Sequence, residues 1–181
     1  LNKRFFKREE AREQNKIEYK GAKSAARVYP MVKPDFSTYK AECKLTEEDL
    51  KPLGELIDFI KKKNLNVLFI STPYPIPELA YGYENLFEDY LREQGMNYLD
   101  CNDYYDDIGL DFSTDFYDDK HTNLAGSMKF TRFISSYILD NFGLEPSKLS
   151  DKMKKEWDNA YTVWHDEVAI PGLEKIRKNA E

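Results

Sequence analysis

Histidine is nearly absent from this chain: among 181 residues only His121 and His165 carry an imidazole, so any histidine chemistry rests on one of two positions. Cysteine is as scarce. Cys43 and Cys101 lie far apart and fit no zinc-ligand or C-x-x-C spacing, which argues against a thiolate metal site or a redox motif. Two free, buried thiols are the favoured reading; a disulfide between them would need Cβ atoms within about 4.5 Å and stays open at this point. There is no run of about 18 apolar residues and no signal-peptide pattern, so no membrane segment is expected. A basic stripe interleaved with stacking aromatics is also lacking. With 27 Lys and Arg against 33 Asp and Glu, net charge −6, a nucleic-acid partner is not expected. The first residue is Leu1 rather than Met, which points to a processed or partial chain, so the missing signal says nothing about compartment.

What is present is one domain's worth of chain, 41% hydrophobic and long enough to bury a core. Residues 2–20 are polar and helix-permissive, with Phe5 and Phe6 as an isolated apolar pair before Gly21, and read as a charged peripheral helix. From Ala22 to Lys44 two prolines and no helical period predict an extended connection. Thr46 followed by Asp49 forms a capping pair, and Leu50, Leu53, Ile57 and Ile60 recur at helical spacing up to Lys61-Lys62-Lys63-Asn64. Val67-Leu68-Phe69-Ile70 then reads as a short strand buried on both faces of a parallel sheet. Leu79, Tyr83, Leu86, Phe87 and Tyr90 make a second helix ending at Gly95, and Asn97-Tyr98-Leu99-Asp100 a second strand. Phe130, Phe133, Ile134, Tyr137 and Ile138 lie on a third helix beginning near Asn123. A tail helix with Met153, Trp157, Tyr161, Trp164 and Val168 on one face should end before Pro171, and its aromatic stripe reads as a docking surface.

This alternation predicts an α/β fold with right-handed crossovers and ligands at the carboxyl ends of the strands, at Ser71–Pro75 and the loop starting at Asp100. Two strands cannot make a stable parallel sheet, so further strands must lie within residues 22–44 or outside the chain.

The chemistry concentrates in Asp118-Asp119-Lys120-His121-Thr122-Asn123. A carboxylate three residues before an imidazole, on a turn at the mouth of a helix, can supply the orienting acid and the general base of a hydrolytic triad. With Asp at 16 of 181 positions, such a spacing arises by chance in about one chain in six of this composition, so its surroundings must carry the weight.

Residues 46–142 resemble the C-terminal half of an SGNH (GDSL-like) hydrolase, a flavodoxin-like α/β family of serine esterases and O-acyl transfer proteins. The matching pieces are the apolar strand ending in Ser71-Thr72-Pro73, the stretch Asp111-Phe112 through Asp115-Phe116-Tyr117, and Asp118-x-x-His121-x-Asn123-x-x-Gly126 with its following helix. The resemblance implies a three-layer parallel sheet, incomplete here, flanked by a peripheral segment over 1–45 and a helical extension over 143–181. It assigns the base to His121 and its orienting partner to Asp118, requires no cofactor or metal, and points to a small-molecule or glycan ester substrate. Family members in Gram-positive bacteria often sit outside the membrane behind an N-terminal anchor, so an extracytoplasmic, anchored full-length protein is the implied setting.

The family's nucleophile lies in an N-terminal G-D-S-like block that has no counterpart here. By the resemblance, the serine belongs to a missing N-terminal half of the domain, and this chain alone should be inactive. Ser71 could substitute as nucleophile, but no glycine flanks it to make a nucleophile elbow; with Thr72 it reads better as a turn lining the substrate cleft. Asn123 reads chiefly as a helix cap, with substrate contact as the lesser alternative. Gly126 in the first helical turn suggests close packing near His121. His165 reads as a surface or packing residue. A competing reading makes the aspartate-rich loop 100–119, with Tyr104, Tyr105, Phe112 and Tyr117, a non-catalytic module binding a cation or a sugar, although the spacing fits no EF-hand.

Overall fold

The computed structural model describes residues 25–145 and 147–180; the helix expected over residues 2–20 lies outside them. Helix α1 spans Glu47–Lys63 and begins as its capping pair predicts. Thr46 accepts from the Asp49 amide while Asp49 accepts from the Thr46 amide, and Asn64 in the left-handed region closes the other end. Strand β1 (Leu68–Ser71) follows, then α2 (Glu78–Glu93) and β2 (Asn97–Asp100). The strands pair in parallel, Leu68 opposite Asn97 through Ser71 opposite Asp100, which puts both carboxyl ends on one side. A 3-10 turn (Cys101–Tyr104) and a one-turn helix α3 (Tyr105–Ile108) lead into the loop that carries His121, and α4 (Leu124–Phe142) follows it.

The core is built on these helices. Leu99, Cys101 and Ile108 are buried against Leu68 and against Phe130, Phe133, Ile134 and Tyr137 of α4. A second cluster, Tyr105, Phe112 and Phe116, is covered by Met31 and Phe36. The connection from Ala25 onward is extended as expected and contains no strand. It lies against the loop: the Tyr29 amide donates to the Phe116 carbonyl at 2.9 Å and the Met31 amide to Phe112 at 2.7 Å. Phe36, in a short 3-10 turn, stacks on Tyr81 of α2 at 4.3 Å. Cys43 and Cys101 are both free thiols, but only Cys101 is buried as expected; Cys43 is half-buried.

Two expectations need correction. β1 is not buried on both faces: Ile70 is 38% exposed, and Leu68 and Phe69 are only half-buried. Its apolar run is that of an interior strand, but among the described residues β2 is the only strand beside it. A cavity of about 660 Å³ opens along it, walled by Leu68, Ile70, Ile138, Phe142 and Leu144.

The tail is the second. Helix α5 (Asp151–Trp164) does not stop before Pro171. It passes through a π-helical segment, His165–Ala169, into α6 (Ile170–Ala180). The wider π turn sits immediately before the proline, where an α-helical ladder would lose a hydrogen bond and meet the ring. The most buried positions of the tail are small residues, Ala160, Ala169 and Gly172, together with Ile176; of the aromatic stripe, Trp164 and Val168 are half-buried while Met153, Trp157 and Tyr161 are exposed. A Cβ on Gly172 would lie 2.5 Å from Leu124 Cδ2, so α6 approaches the start of α4 closely because that position has no side chain. No helix among the described residues is long and apolar enough to cross a membrane.

Candidate functional site

Residues 115–123 double back as a tight hairpin. Phe116 and Thr122 form an antiparallel bridge, the Tyr117 amide donates to the His121 carbonyl at 2.8 Å, and the Asn123 amide to the Asp115 carbonyl at 2.8 Å. Asp118 sits at the tip and organises it: one oxygen accepts from the amides of Lys120 (2.9 Å) and His121 (2.8 Å). The same carboxylate meets the ring, with His121 Nδ1 2.9 Å from Oδ1 and 3.0 Å from Oδ2. The Lys120 amide, foremost, and the His121 ring and amide hold the Asp118 carboxyl below the ordinary aspartate range. With Nδ1 engaged, Nε2 is the nitrogen turned outward, on a side chain 71% exposed. This is the tautomer-fixing arrangement that a general base requires.

The hairpin is anchored from below by Asn123 and Gly126, in the capping and close-packing roles their positions suggested, and by an Asp115–Lys129 pair to which the sequence reading gave no role. Asp115 is buried, accepts from the Asp111 amide at 2.8 Å, and pairs with Lys129 of α4 at 2.6 Å. Asn123 is also buried. Its Oδ1 caps the amides of Ala125 and Gly126, and its Nδ2 donates to the carbonyls of Arg27, Thr114 and Phe116. Both ends of that amide are thus spent on holding the loop to α4 and to the extended segment. A Cβ on Gly126 would collide with the Asp115 carbonyl oxygen, which accounts for glycine in the first turn. The Asp115–Lys129 pair left no local signal, because its members are 14 residues apart and on different elements.

Ser71 and Thr72 lie at the carboxyl end of β1, but no hydrogen bond or ion pair given by the structure joins them to Asp118 or His121. Ser71 instead donates to Glu84 of α2 at 2.7 Å. Asn102 donates from Nδ2 to both Glu84 (3.1 Å) and Asp100 (2.8 Å), and accepts at Oδ1 from the Tyr74 amide and the Tyr105 hydroxyl. These contacts tie the two strand-end loops and α2 together. Burial, chiefly, raises both Glu84 and Asp100 above ordinary carboxyl values, and raises the Tyr74 hydroxyl to about 12.

Of the aromatics in the acidic loop, Tyr105 and Phe112 are core residues, Tyr104 packs on Phe133, and Tyr117 lies beside the Arg27 guanidinium. No group of three or more His, Cys, Asp or Glu among the described residues is arranged to hold a metal ion. His165 is half-buried, pairs with Asp166 and stacks on Tyr161. No family model, curated protein or solved structure matches the chain.

Proposed function

We propose that this chain supplies the Asp118–His121 part of the triad of an SGNH-type serine esterase or O-acyltransferase, with the nucleophilic serine outside the chain. The observation that carries this reading is the Asp118–His121 geometry. Nδ1 faces a carboxylate, Nε2 is open, and the hairpin belongs to the connection leaving the carboxyl end of a parallel strand. In the reaction, Nε2 takes the serine hydroxyl proton as the oxygen attacks the ester carbonyl, and returns it to the leaving alkoxide. Asp118 keeps the imidazole in register and stabilises its charged form. Water or a second hydroxyl then resolves the acyl-enzyme.

The same proposal extends to the fold. A flavodoxin-like three-layer sheet would place another parallel strand against β1, whose apolar side chains and adjoining cavity are those of an interior strand left at an edge. The residues added there would bring the serine to the carboxyl end of the sheet, with Ser71 and Thr72 beside the substrate. The binding-module reading draws less support, since Tyr105 and Phe112 are committed to the core.

The experiment is hydrolysis of p-nitrophenyl acetate, with fluorophosphonate labelling, by the protein expressed from its whole reading frame. His121→Ala should lower the rate by about a thousandfold or more and abolish labelling. Equal rates in wild type and variant would remove His121 from the mechanism.

A further inference from the structure

Arg27 is an arginine without a carboxylate partner in a chain of net charge −6. Among the described residues no ion pair or side-chain hydrogen bond engages its guanidinium, which is exposed and lies 5.7 Å from the ring centre of Tyr29 and 5.7 Å from that of Tyr117. Ring contact holds the cation in place without using up its N–H donors. Nor is the side chain needed to fasten its own segment to the hairpin. Backbone groups do that: the Leu124 amide donates to the Ala25 carbonyl at 2.8 Å, the Tyr29 amide to the Phe116 carbonyl at 2.9 Å, and Asn123 Nδ2 to the Arg27 carbonyl at 3.1 Å. The hairpin fixes where the cation stands relative to the imidazole. Tyr117 and His121 oppose each other one step from the Phe116–Thr122 bridge, and side chains alternate between faces, so both leave the face opposite to buried Phe116. Directly opposed Cβ atoms are about 5 Å apart. The Tyr117 ring therefore carries the Arg27 cation on the same face as His121. Asp118, next to Tyr117 in the chain, is committed to the Lys120 and His121 amides and to the imidazole.

We propose that Arg27 is a specificity-determining residue of the His121 site, receiving a carboxylate or phosphate that the ester substrate carries away from its scissile bond. This rests on the reading of His121 as the base of an ester-cleaving site. The guanidinium offers paired N–H donors to two oxygens of one anion, a contact that a neutral ester cannot make. Because Tyr29 and Tyr117 already hold the cation, little side-chain freedom is lost when the anion binds. Asp118 and Asp119 make the tip of the hairpin unfavourable to an anion, so the cation also orients the substrate: charged end beside Tyr117, ester toward Nε2 of His121. The site is open to solvent, and added salt therefore weakens the attraction.

The test has a binding arm and a kinetic arm. The binding probes are monomethyl succinate and methyl phosphate, with methyl butyrate as the uncharged match of the first. In proton–nitrogen NMR of this chain at low salt, the anions should shift the Arg27 Nε–H, Tyr117 and His121 signals saturably, and methyl butyrate should not. A response to only one anion assigns the group as carboxylate or phosphate. Silence toward both overturns the proposal, whatever becomes of the esterase reading, and this measurement needs no variant to fold. Arg27→Met, which keeps the backbone contacts, should lose the response; an equal response in R27M overturns the proposal. In the protein expressed from its whole reading frame, the kinetic readout is the ratio of kcat/KM for mono-4-nitrophenyl succinate to that for 4-nitrophenyl butyrate. That ratio should fall about tenfold or more in R27M and less in R27K. An unchanged ratio overturns the assignment. If His121→Ala hydrolyses both esters at the wild-type rate, the esterase reading fails by itself, and the NMR titration alone decides the anion site.

Discussion

The carbonyl oxygen of Asp115 lies against Gly126 so closely that any side chain at 126 would collide with it. That contact seats the His121 hairpin on the first turn of α4, since Asp115 also accepts the Asn123 amide and pairs with Lys129. Two effects oppose each other in Gly126→Ala. Helix propensity alone would favour alanine by up to about 1 kcal/mol. The collision is with backbone, however, and overpacking of this kind costs about 1–3 kcal/mol. We expect net destabilisation in a urea titration, with broadened or shifted NMR signals from residues 115–123. A more stable variant would mean that the hairpin sits further from α4.

Asp118 gives a prediction separable from catalysis. Its carboxyl is held below the ordinary aspartate value first by the Lys120 amide and then by His121. Removing the ring in His121→Ala should raise the Asp118 titration, read by carbon-13 NMR, yet leave it below the ordinary value because the amide bonds persist. The sign for stability follows from the depressed value. The contribution is present above the unfolded-state titration and is lost as pH falls through the folded-state one. A full return to the ordinary value in H121A would show that the ring, rather than the loop backbone, holds the carboxylate.

The parts of this molecule legible in the sequence are those determined locally. The box at Thr46 and Asp49 needs only three intervening bonds' worth of chain, and the Asn123 cap likewise acts on amides two and three residues away. The Asp118–His121 contact is also local, spanning one turn. What the sequence could not convey depends on neighbours distant in the chain. Val67–Ile70 has the composition of an interior strand, but burial is conferred by what packs beside it, and here Ile70 is left partly open. The tail helix has an aromatic stripe and a set of small residues, and its most buried positions are mainly the small ones, since Gly172 must clear Leu124. Pro171 signalled a stop that a π turn overrode. Glu84 and Asp100 read as ordinary acidic residues until α2 and the end of β2 are brought together.

The exposed flank of β1 makes the last prediction. Ile70 borders a cavity of about 660 Å³ whose walls include Leu68, Ile138 and Phe142, an apolar surface of the kind that takes up a hydrophobic dye. Because Ile70 is 38% exposed, Ile70→Lys leaves its ammonium a route to water and should change stability by no more than about 0.5 kcal/mol. The same substitution puts a charge at the mouth of the cavity and on an edge strand, and should sharply reduce anilinonaphthalene sulfonate fluorescence. The two readouts together separate the alternatives. A large loss of stability would mean that Ile70 is covered in solution, whereas an unchanged fold with undiminished dye binding would move the open apolar surface away from β1.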